Sequence, residues 1–316
     1  MHAIAVITLF AVLLPLSGQQ SSVSKVSTRE DSTIRLNARL VNLNVKVFDK
    51  DGRPIPRLKP ENFTVLEDNI PQEVTYFQPV AAPVNLLLLL DLSGSIGSKL
   101  QIMKKAAKKF VDSLARDDKI AIATFTTRFH SVCDFTNDKG LLKTRVDAIV
   151  NPGGDTALYD AAWSALDSLD RNSNSRNALV ILTDGVDSAF IPDEQGSKRE
   201  FADLMMRVEE EEATIYPIYF DTEPQVVGGA YTPQVFAKAR RQLEALADQT
   251  GGSYFKASRT EDLDQVYKRV AAELHSFYSL AYSAKDARND GRFRRISVKI
   301  DRDGVKARTK RGYYAK

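Results

Sequence analysis

Three side chains that carry oxygen donors follow a run of five leucines at alternate positions. Residues 84–95 read VNLLLLLDLSGS, so the leucine run ends at Asp91, and Ser93 and Ser95 come after it. An apolar run this short predicts a buried strand and not a membrane span. In open α/β sheets, ligands bind at the carboxyl ends of the strands. A carboxylate and two hydroxyls at such an end, with no histidine or cysteine beside them, favour a hard cation such as Mg²⁺.

Two later loops supply further oxygen donors. The sequence GGDT ends at Thr156, directly before a predicted helix, and Thr156 could cap that helix or bind a metal. The sequence LTDG ends a second apolar strand at Asp184. If the two strands are neighbours, Asp91 and Asp184 face each other across the switch point of the sheet. Asp155 and Asp187 fall in or near the same loops and could support the site from outside the ligand set, or they could be solvated turn residues.

Serine, threonine and aspartate are also common helix caps and turn formers, so no one of these residues identifies a metal site by itself. Their joint placement at the ends of predicted buried strands favours the metal. The predicted ligands are Asp91, Ser93, Ser95, Thr156 and Asp184.

This set of motifs resembles the von Willebrand factor type A (VWA) domain, the fold also found in integrin inserted domains. The resemblance covers residues 84–277 and fills every position of that family's metal-ion-dependent adhesion site: D-x-S-x-S, then a threonine, then an aspartate. It implies a bound divalent cation, Mg²⁺ or alternatively Mn²⁺ or Ca²⁺, with some aspartate contacts through water. It also implies a protein partner that presents Asp or Glu as the last metal ligand.

The pattern of the central segment predicts an α/β fold with a doubly wound, mostly parallel, Rossmann-like sheet covered by helices on both faces. Apolar runs of strand length alternate with amphipathic stretches from residue 84 onward. The predicted strands are 84–91, 119–125, 131–135, 177–184, 214–220 and 253–257. The predicted helices are 97–114, 157–169, 197–212, 233–250 and 260–277.

The segments on either side have a period of two, which is typical of β-strands. Neither segment alone is large enough for a comfortable core, so the two are predicted to form one small β-sandwich. Their motifs, including VKVFDKDGRPI, LKPENFTVLED, FYSLAYSA and FRRISVKI, resemble a group of exported acidobacterial proteins that contain VWA domains. The predicted division is a signal peptide (1–18), a flexible leader (19–31), an N-terminal β segment (32–83), the VWA domain (84–277) and a C-terminal β segment (278–316).

The first eighteen residues have the apolar stretch of an export signal, although the positively charged start is weak. Either cleavage or retention as an anchor would fit them, and no stable membrane span is predicted after cleavage. Cys133 is the only cysteine, so no internal disulfide can form. Export without disulfides points to a bacterial protein in the periplasm, in the cell envelope or outside the cell.

Three catalytic or binding classes fit the motifs poorly. A phosphotransferase of the haloacid-dehalogenase type needs an aspartate where Ser93 stands, and SGSIG lacks the first glycine of a hydrolase elbow. The candidate bases after residue 18 are His130 and His275, neither in a suitable motif. Two EF-hand-like starts have Pro60 and Gly312 at position twelve instead of glutamate. The chain is therefore predicted not to be an enzyme.

Charge does not predict nucleic-acid binding. The formal net charge of the 316 residues is +3, and the basic residues between 285 and 311 alternate along predicted strands, where they would face solvent or guard a sheet edge. The predicted function is exported, metal-dependent protein binding. The alternative is a structural or assembly module of the cell envelope, in which the metal only stabilises the fold.

Overall fold

The computed structural model of the chain describes residues 39–80, 83–95, 99–169, 176–223, 228–259, 261–286 and 288–315. The predicted signal peptide and leader lie outside these ranges. Fourteen strands are present in them: β1 Leu40–Phe48, β2 Phe63–Glu67, β3 Ile70–Gln72, β4 Val74–Val80, β5 Val84–Asp91, β6 Lys119–Phe125, β7 Phe129–Thr136, β8 Arg176–Thr183, β9 Thr214–Phe220, β10 Phe255–Ala257, β11 Phe277–Ser283, β12 Phe293–Ile300, β13 Lys306–Arg308 and β14 Gly312–Tyr314. The α-helices of the same ranges are α1 Leu100–Ser113, α2 Lys139–Asp147, α3 Leu158–Asp167, α4 Phe201–Glu209, α5 Pro233–Thr250 and α6 Asp262–Leu274.

A six-stranded sheet in the order β10-β9-β8-β5-β6-β7 forms the centre of the α/β part. Its strands are parallel except for β7, which runs antiparallel at one edge. The chain leaves β5 towards β6 and later returns to β8 on the other side of β5. The switch point therefore lies between β5 and β8, where parallel sheets place their ligands.

The leucine run of β5 is continuous because both faces of this strand are covered. All eight residues of β5 are buried. Leu86, Leu88 and Leu90 face the core beneath α1, α2 and α6, whereas Leu87 and Leu89 face the core beneath α3, α4 and α5. A strand buried on both faces has an unbroken apolar run in place of alternating apolar and polar residues. This arrangement confirms the predicted α/β fold class.

The two flanking segments combine into two four-stranded antiparallel sheets, in the orders β13-β1-β11-β4 and β14-β12-β2-β3. Each sheet contains strands from both ends of the described chain: Val45 of β1 pairs with Tyr278 of β11, and Val65 of β2 with Val298 of β12. These strands share one hydrophobic core. The small sandwich thus needs both segments.

A buried ion pair connects this sandwich to the α/β part. The ammonium of Lys46 on β1 lies 3.1 Å from the Glu273 carboxylate on α6, and the Ser253 hydroxyl donates to the same oxygen at 2.6 Å. Lys46 is fully buried, and its Nζ lies 4.2 Å from the centroid of the Tyr216 ring and 5.0 Å from that of Phe277. Burial lowers the pKa of Lys46 to about 8, although the Glu273 charge opposes this effect.

Several element boundaries differ from the prediction. The helix predicted from residue 197 begins at Phe201 as α4, and the one predicted to reach residue 277 ends at Leu274 as α6. Helix α2 has no predicted counterpart, because Leu142 and Val146 are its only buried residues. No helix in the described part of the chain is both long and apolar enough to cross a membrane.

Candidate metal centre

Three loops meet at the carboxyl ends of β5 and β8. The backbone N–H of Gly94, after β5, donates to the carbonyl of Gly154 in the loop before α3 at 3.0 Å. The Thr183 hydroxyl at the end of β8 donates to Asp91 at 2.7 Å. A surface pocket opens above these loops. Its lining consists of Ser93, Gly94, Ser95, Gly154, Asp155, Thr156, Asp184, Val186 and Tyr231.

Asp91 lies at the base of this site and is fully buried. One of its oxygens accepts the Ser93 backbone N–H at 2.8 Å, and the other accepts the Thr183 hydroxyl. Burial, followed by the nearby Asp184 carboxylate, raises the pKa of Asp91 to about 7, although the hydrogen bonds from Thr183 and Ser93 oppose this shift. The two neutral donors, the Ser93 N–H and the Thr183 hydroxyl, do not offset the free-energy cost of burying the Asp91 charge.

Asp184 is the second buried carboxylate. Its Oδ2 accepts hydroxyl hydrogen bonds from Ser95 and Thr222, each at 2.7 Å, and its Oδ1 accepts the Val186 N–H at 3.2 Å. Burial raises its pKa above the ordinary value despite these hydrogen bonds. Asp91 and Asp184 therefore form a desolvated pair of like charges, which a divalent cation would relieve.

Hydroxyl groups complete the candidate ligand set. The Ser93 and Ser95 oxygens lie 3.2 Å apart. The Thr156 backbone is hydrogen-bonded on both sides, whereas its hydroxyl makes no hydrogen bond within the described residues. Two carboxylates and three hydroxyls form an all-oxygen donor set that fits a hard cation. Within the described ranges, no three His, Cys, Asp or Glu side chains cluster as a metal site, so hydroxyl ligands are essential to this fit.

Asp155 and Asp187 occupy different positions around the pocket. Asp155 lines it, with one carboxylate oxygen accepting the Gln195 N–H at 2.8 Å. Asp187 is fully buried and accepts four hydrogen bonds, from the Ala189 N–H, the Tyr159 N–H, and both the N–H and the hydroxyl of Ser197. Its oxygens hold the loop after β8 against the start of α3.

Several residues of the site are not among those that the sequence singled out. Thr183 lies within LTDG and Thr222 lies two residues after the end of β9, so strand ends offered a weak signal for both. Tyr231 lines the pocket from the loop before α5, and its hydroxyl donates to Glu194. Burial, followed by the Glu194 interaction, raises the pKa of Tyr231. Tyr231 and Glu194 are far apart in sequence, and neither belongs to a recognisable motif.

The alternative site residues lie elsewhere. His275 contacts Asp118 at 2.9 Å and the Ala271 carbonyl at 2.9 Å, and neither His275 nor His130 lines the pocket. Several arginines of the basic C-terminal segment form ion pairs within the chain. These pairs are Arg288–Asp286, Arg294–Asp290 and Arg311–Asp248. They reduce the positive charge that this segment could offer to nucleic acid.

Comparison with known proteins identifies the central segment. Residues 86–186 match the family model described as "von Willebrand factor type A domain". The human voltage-dependent calcium channel subunit alpha-2/delta-2 is 31% identical over 124 residues, which are 35% of this chain and 10% of that protein. The mouse and rat proteins of that name match equally. The chain thus spans about a tenth of the length of these curated relatives.

The fold is similar to that of a solved structure from the mussel byssus. Proximal thread matrix protein 1 from the mussel byssus, described "with zinc occupied MIDAS motif", has a TM-score of 0.50 and 17% identity over 66% of this chain and 50% of that one. A von Willebrand factor type A protein from Catenulispora acidiphila has a TM-score of 0.48 and 13% identity over 86% and 73% of the two chains. Residues 86–186 are thus similar to the von Willebrand factor type A domain family, whose members typically mediate protein interaction or adhesion and are generally not enzymatic.

Proposed function

We propose that this chain is an exported, non-enzymatic protein-binding module, in which a bound divalent cation accepts an acidic side chain of a partner protein. The proposed metal ligands are Asp91, Ser93, Ser95, Thr156 and Asp184. We propose Mg²⁺ as the physiological ion, with Mn²⁺ or Ca²⁺ as substitutes. The observation that carries this proposal is the desolvated pair of carboxylates, Asp91 and Asp184, beneath a pocket open to the surface.

The donor set explains why such a site would bind and not catalyse. Three of the five proposed ligands are neutral hydroxyls, so a bound cation stays electron-poor and retains affinity for a further carboxylate. Among the residues that the structure describes, no histidine lines the pocket to act as a base. Asp155 lies in the pocket wall and is proposed to influence the approach of the partner's acidic residue without being a ligand.

Thermal unfolding with Mg²⁺ and with chelator tests the metal. A ligand at one hundred times its Kd stabilises the native state by about 2.7 kcal/mol, so Mg²⁺ should raise the Tm of the wild-type chain. Asp184→Asn should abolish that increase. Asp117→Asn, the same substitution at an exposed turn, should retain it. An unchanged wild-type Tm together with no Mg²⁺ or Mn²⁺ binding in calorimetry would refute the metal site.

Partner capture separates adhesion from a purely structural metal. The immobilised chain is exposed to a cell-envelope extract in Mg²⁺ and in chelator, and a captured protein is then tested with its acidic residues changed to amides. Adhesion predicts that capture needs both the metal and one particular Asp or Glu of the partner. Capture that persists in Asp184→Asn while the Tm falls would favour the alternative, an envelope assembly module with a stabilising metal.

The export route and the domain division belong to the same proposal. The apolar first eighteen residues support export to the periplasm, the envelope or the medium, and the flanking motifs support the acidobacterial VWA-related type. We propose that residues 84–277 form the metal-binding domain, and that residues 32–83 and 278–316 form the sandwich. Mass spectrometry of the secreted chain's N-terminus tests cleavage, and an intact residue 1 would exclude it.

A further inference from the structure

Thr156 belongs to a loop that requires support from outside. The two residues preceding Asp155, Gly153 and Gly154, have φ values of 66° and 108°, a region that other residues rarely adopt. A backbone with this freedom does not by itself fix the position of the following threonine. Ser188, on the loop after β8, holds Thr156 on both sides: its hydroxyl accepts the Thr156 N–H at 2.9 Å, and its own N–H donates to the Thr156 carbonyl at 2.8 Å.

Ser188 is in turn held by Glu194. The Ser188 hydroxyl donates its proton to Glu194 Oε2 at 2.7 Å, which leaves the hydroxyl lone pairs for the Thr156 N–H. The Tyr231 hydroxyl lies 2.8 Å and 2.9 Å from the two oxygens of the same carboxylate. The Glu194 carboxylate thus accepts hydrogen bonds from hydroxyl groups on two different loops.

Tyr231 anchors the Glu194 carboxylate to a packed part of the structure. Its ring packs against the apolar cluster that includes Val186 and Phe236, with the Tyr231 and Phe236 ring centroids 6.4 Å apart. The same tyrosine lines the metal pocket. The hydrogen-bonded series Tyr231–Glu194–Ser188–Thr156 therefore runs from the pocket wall to a proposed metal ligand.

We propose that Glu194, anchored by Tyr231, is a positioning residue of the metal centre that fixes the Thr156 hydroxyl through Ser188. This inference rests on the proposed function, because it takes Thr156 as a metal ligand. It extends that function by assigning the metal affinity partly to a carboxylate that does not line the pocket. Glu194 acts by hydrogen bonding, and its charge is secondary.

A double-mutant cycle with Mn²⁺ as the probe tests this role. The Mn²⁺ Kd is measured by calorimetry for wild type, Glu194→Ala, Thr156→Val and the double variant. Loss of a residue that orients a metal ligand typically weakens affinity 10–100-fold, so Glu194→Ala should weaken Mn²⁺ binding by about tenfold. In the Thr156→Val background the same change should have no further effect, since the hydroxyl that Glu194 positions is gone.

Two further variants separate hydrogen bonding from charge. Glu194→Gln retains a carbonyl that can accept from Ser188 and Tyr231, so its Kd should stay close to wild type. Asp193→Asn removes the neighbouring exposed charge at a residue with φ 65°, which asparagine tolerates, and should also leave Kd unchanged. If Glu194→Ala fails to fold, Tyr231→Phe replaces it in the cycle, with a smaller loss expected.

The outcomes distinguish this inference from the proposed function. A Glu194→Ala loss of equal size in both backgrounds, or a Glu194→Gln loss as large as that of Glu194→Ala, would overturn the positioning role while leaving the metal site intact. A wild-type chain that binds no Mn²⁺ would overturn both. The positioning role would be established if Glu194→Ala weakens Mn²⁺ binding in the wild-type background but not in the Thr156→Val background, and if Glu194→Gln keeps a Kd close to wild type.

Discussion

The buried pair between Lys46 and Glu273 allows a quantitative test of how the sandwich and the α/β part are joined. Replacing Lys46 with methionine keeps the length of the side chain and removes its charge. The Glu273 carboxylate would then remain buried with the Ser253 hydroxyl as a neutral donor. Replacing Glu273 with leucine would instead leave the Lys46 ammonium fully buried without its ion-pair partner.

The pKa of Lys46 indicates the size of the free-energy penalty on its buried charge. A fall from 10.5 to about 8 means that burial penalises the charged form more than Glu273 stabilises it. This difference corresponds to about 3 kcal/mol, because each pKa unit is about 1.4 kcal/mol. Since the unfolded chain holds this proton up to about pH 10.5 and the folded chain loses it near pH 8, wild-type stability should rise with pH between those values relative to Lys46→Met.

Urea unfolding at pH 7 measures the pair directly. Either single substitution should destabilise the chain by about 3–5 kcal/mol, because each leaves one buried charge uncompensated. The double variant Lys46→Met/Glu273→Leu should recover most of that loss or exceed wild-type stability. Lys108→Met, which breaks an exposed pair with Asp147, is the control and should cost less than about 1 kcal/mol. Single variants within 1 kcal/mol of wild type, or a double variant as unstable as the sum of both losses, would refute this account.

Three other predictions concern separate parts of the fold. His275 donates a hydrogen bond to the Asp118 carboxylate, which raises the pKa of His275 above its ordinary 6.5. Wild type should therefore exceed His275→Gln in stability below about pH 6.5, and this margin should fall as pH rises through the folded pKa; urea unfolding from pH 5 to 8 checks this. Asp187→Ala removes the acceptor of four hydrogen bonds and should cost about 3 kcal/mol, with faster proteolysis of the following loop. Gly252→Ala would place a methyl group 1.8 Å from the Ile215 carbonyl oxygen, so the Tm should fall sharply.

From the sequence, the convergence of the proposed ligands could be predicted only on the condition that the two apolar strands ending in aspartate are neighbours. The structure meets this condition, because β5 and β8 are adjacent at the switch point, with Leu90 opposite Leu182. The sandwich could be anticipated for a related reason, since neither flanking segment alone could enclose a core. Both inferences depend on patterns of apolar residues that lie within single contiguous stretches of the sequence.

The remaining features depend on contacts that no local pattern encodes. Strand β7 reads as one more strand of the sheet, yet it pairs antiparallel with β6 because the short turn between Phe125 and Phe129 leaves no room for a crossover helix. Glu194 and Tyr231 meet from loops 37 residues apart. Their types are ordinary for loops, so only the tertiary structure reveals the contact.

The contrast between Asp184 and Asp187 shows why residue type and burial are insufficient to choose between candidate metal ligands. Both aspartates are buried within one loop. Three of the four donors to the Asp187 oxygens are backbone N–H groups, which have no lone pair to offer a cation, and the fourth is the Ser197 hydroxyl. Asp184 Oδ2 instead accepts the hydroxyls of Ser95 and Thr222, and a hydroxyl can keep donating its proton while its own oxygen faces a metal. Two of the three donors to Asp184 can therefore be shared with a cation, whereas three of the four donors to Asp187 are amides that serve only the fold.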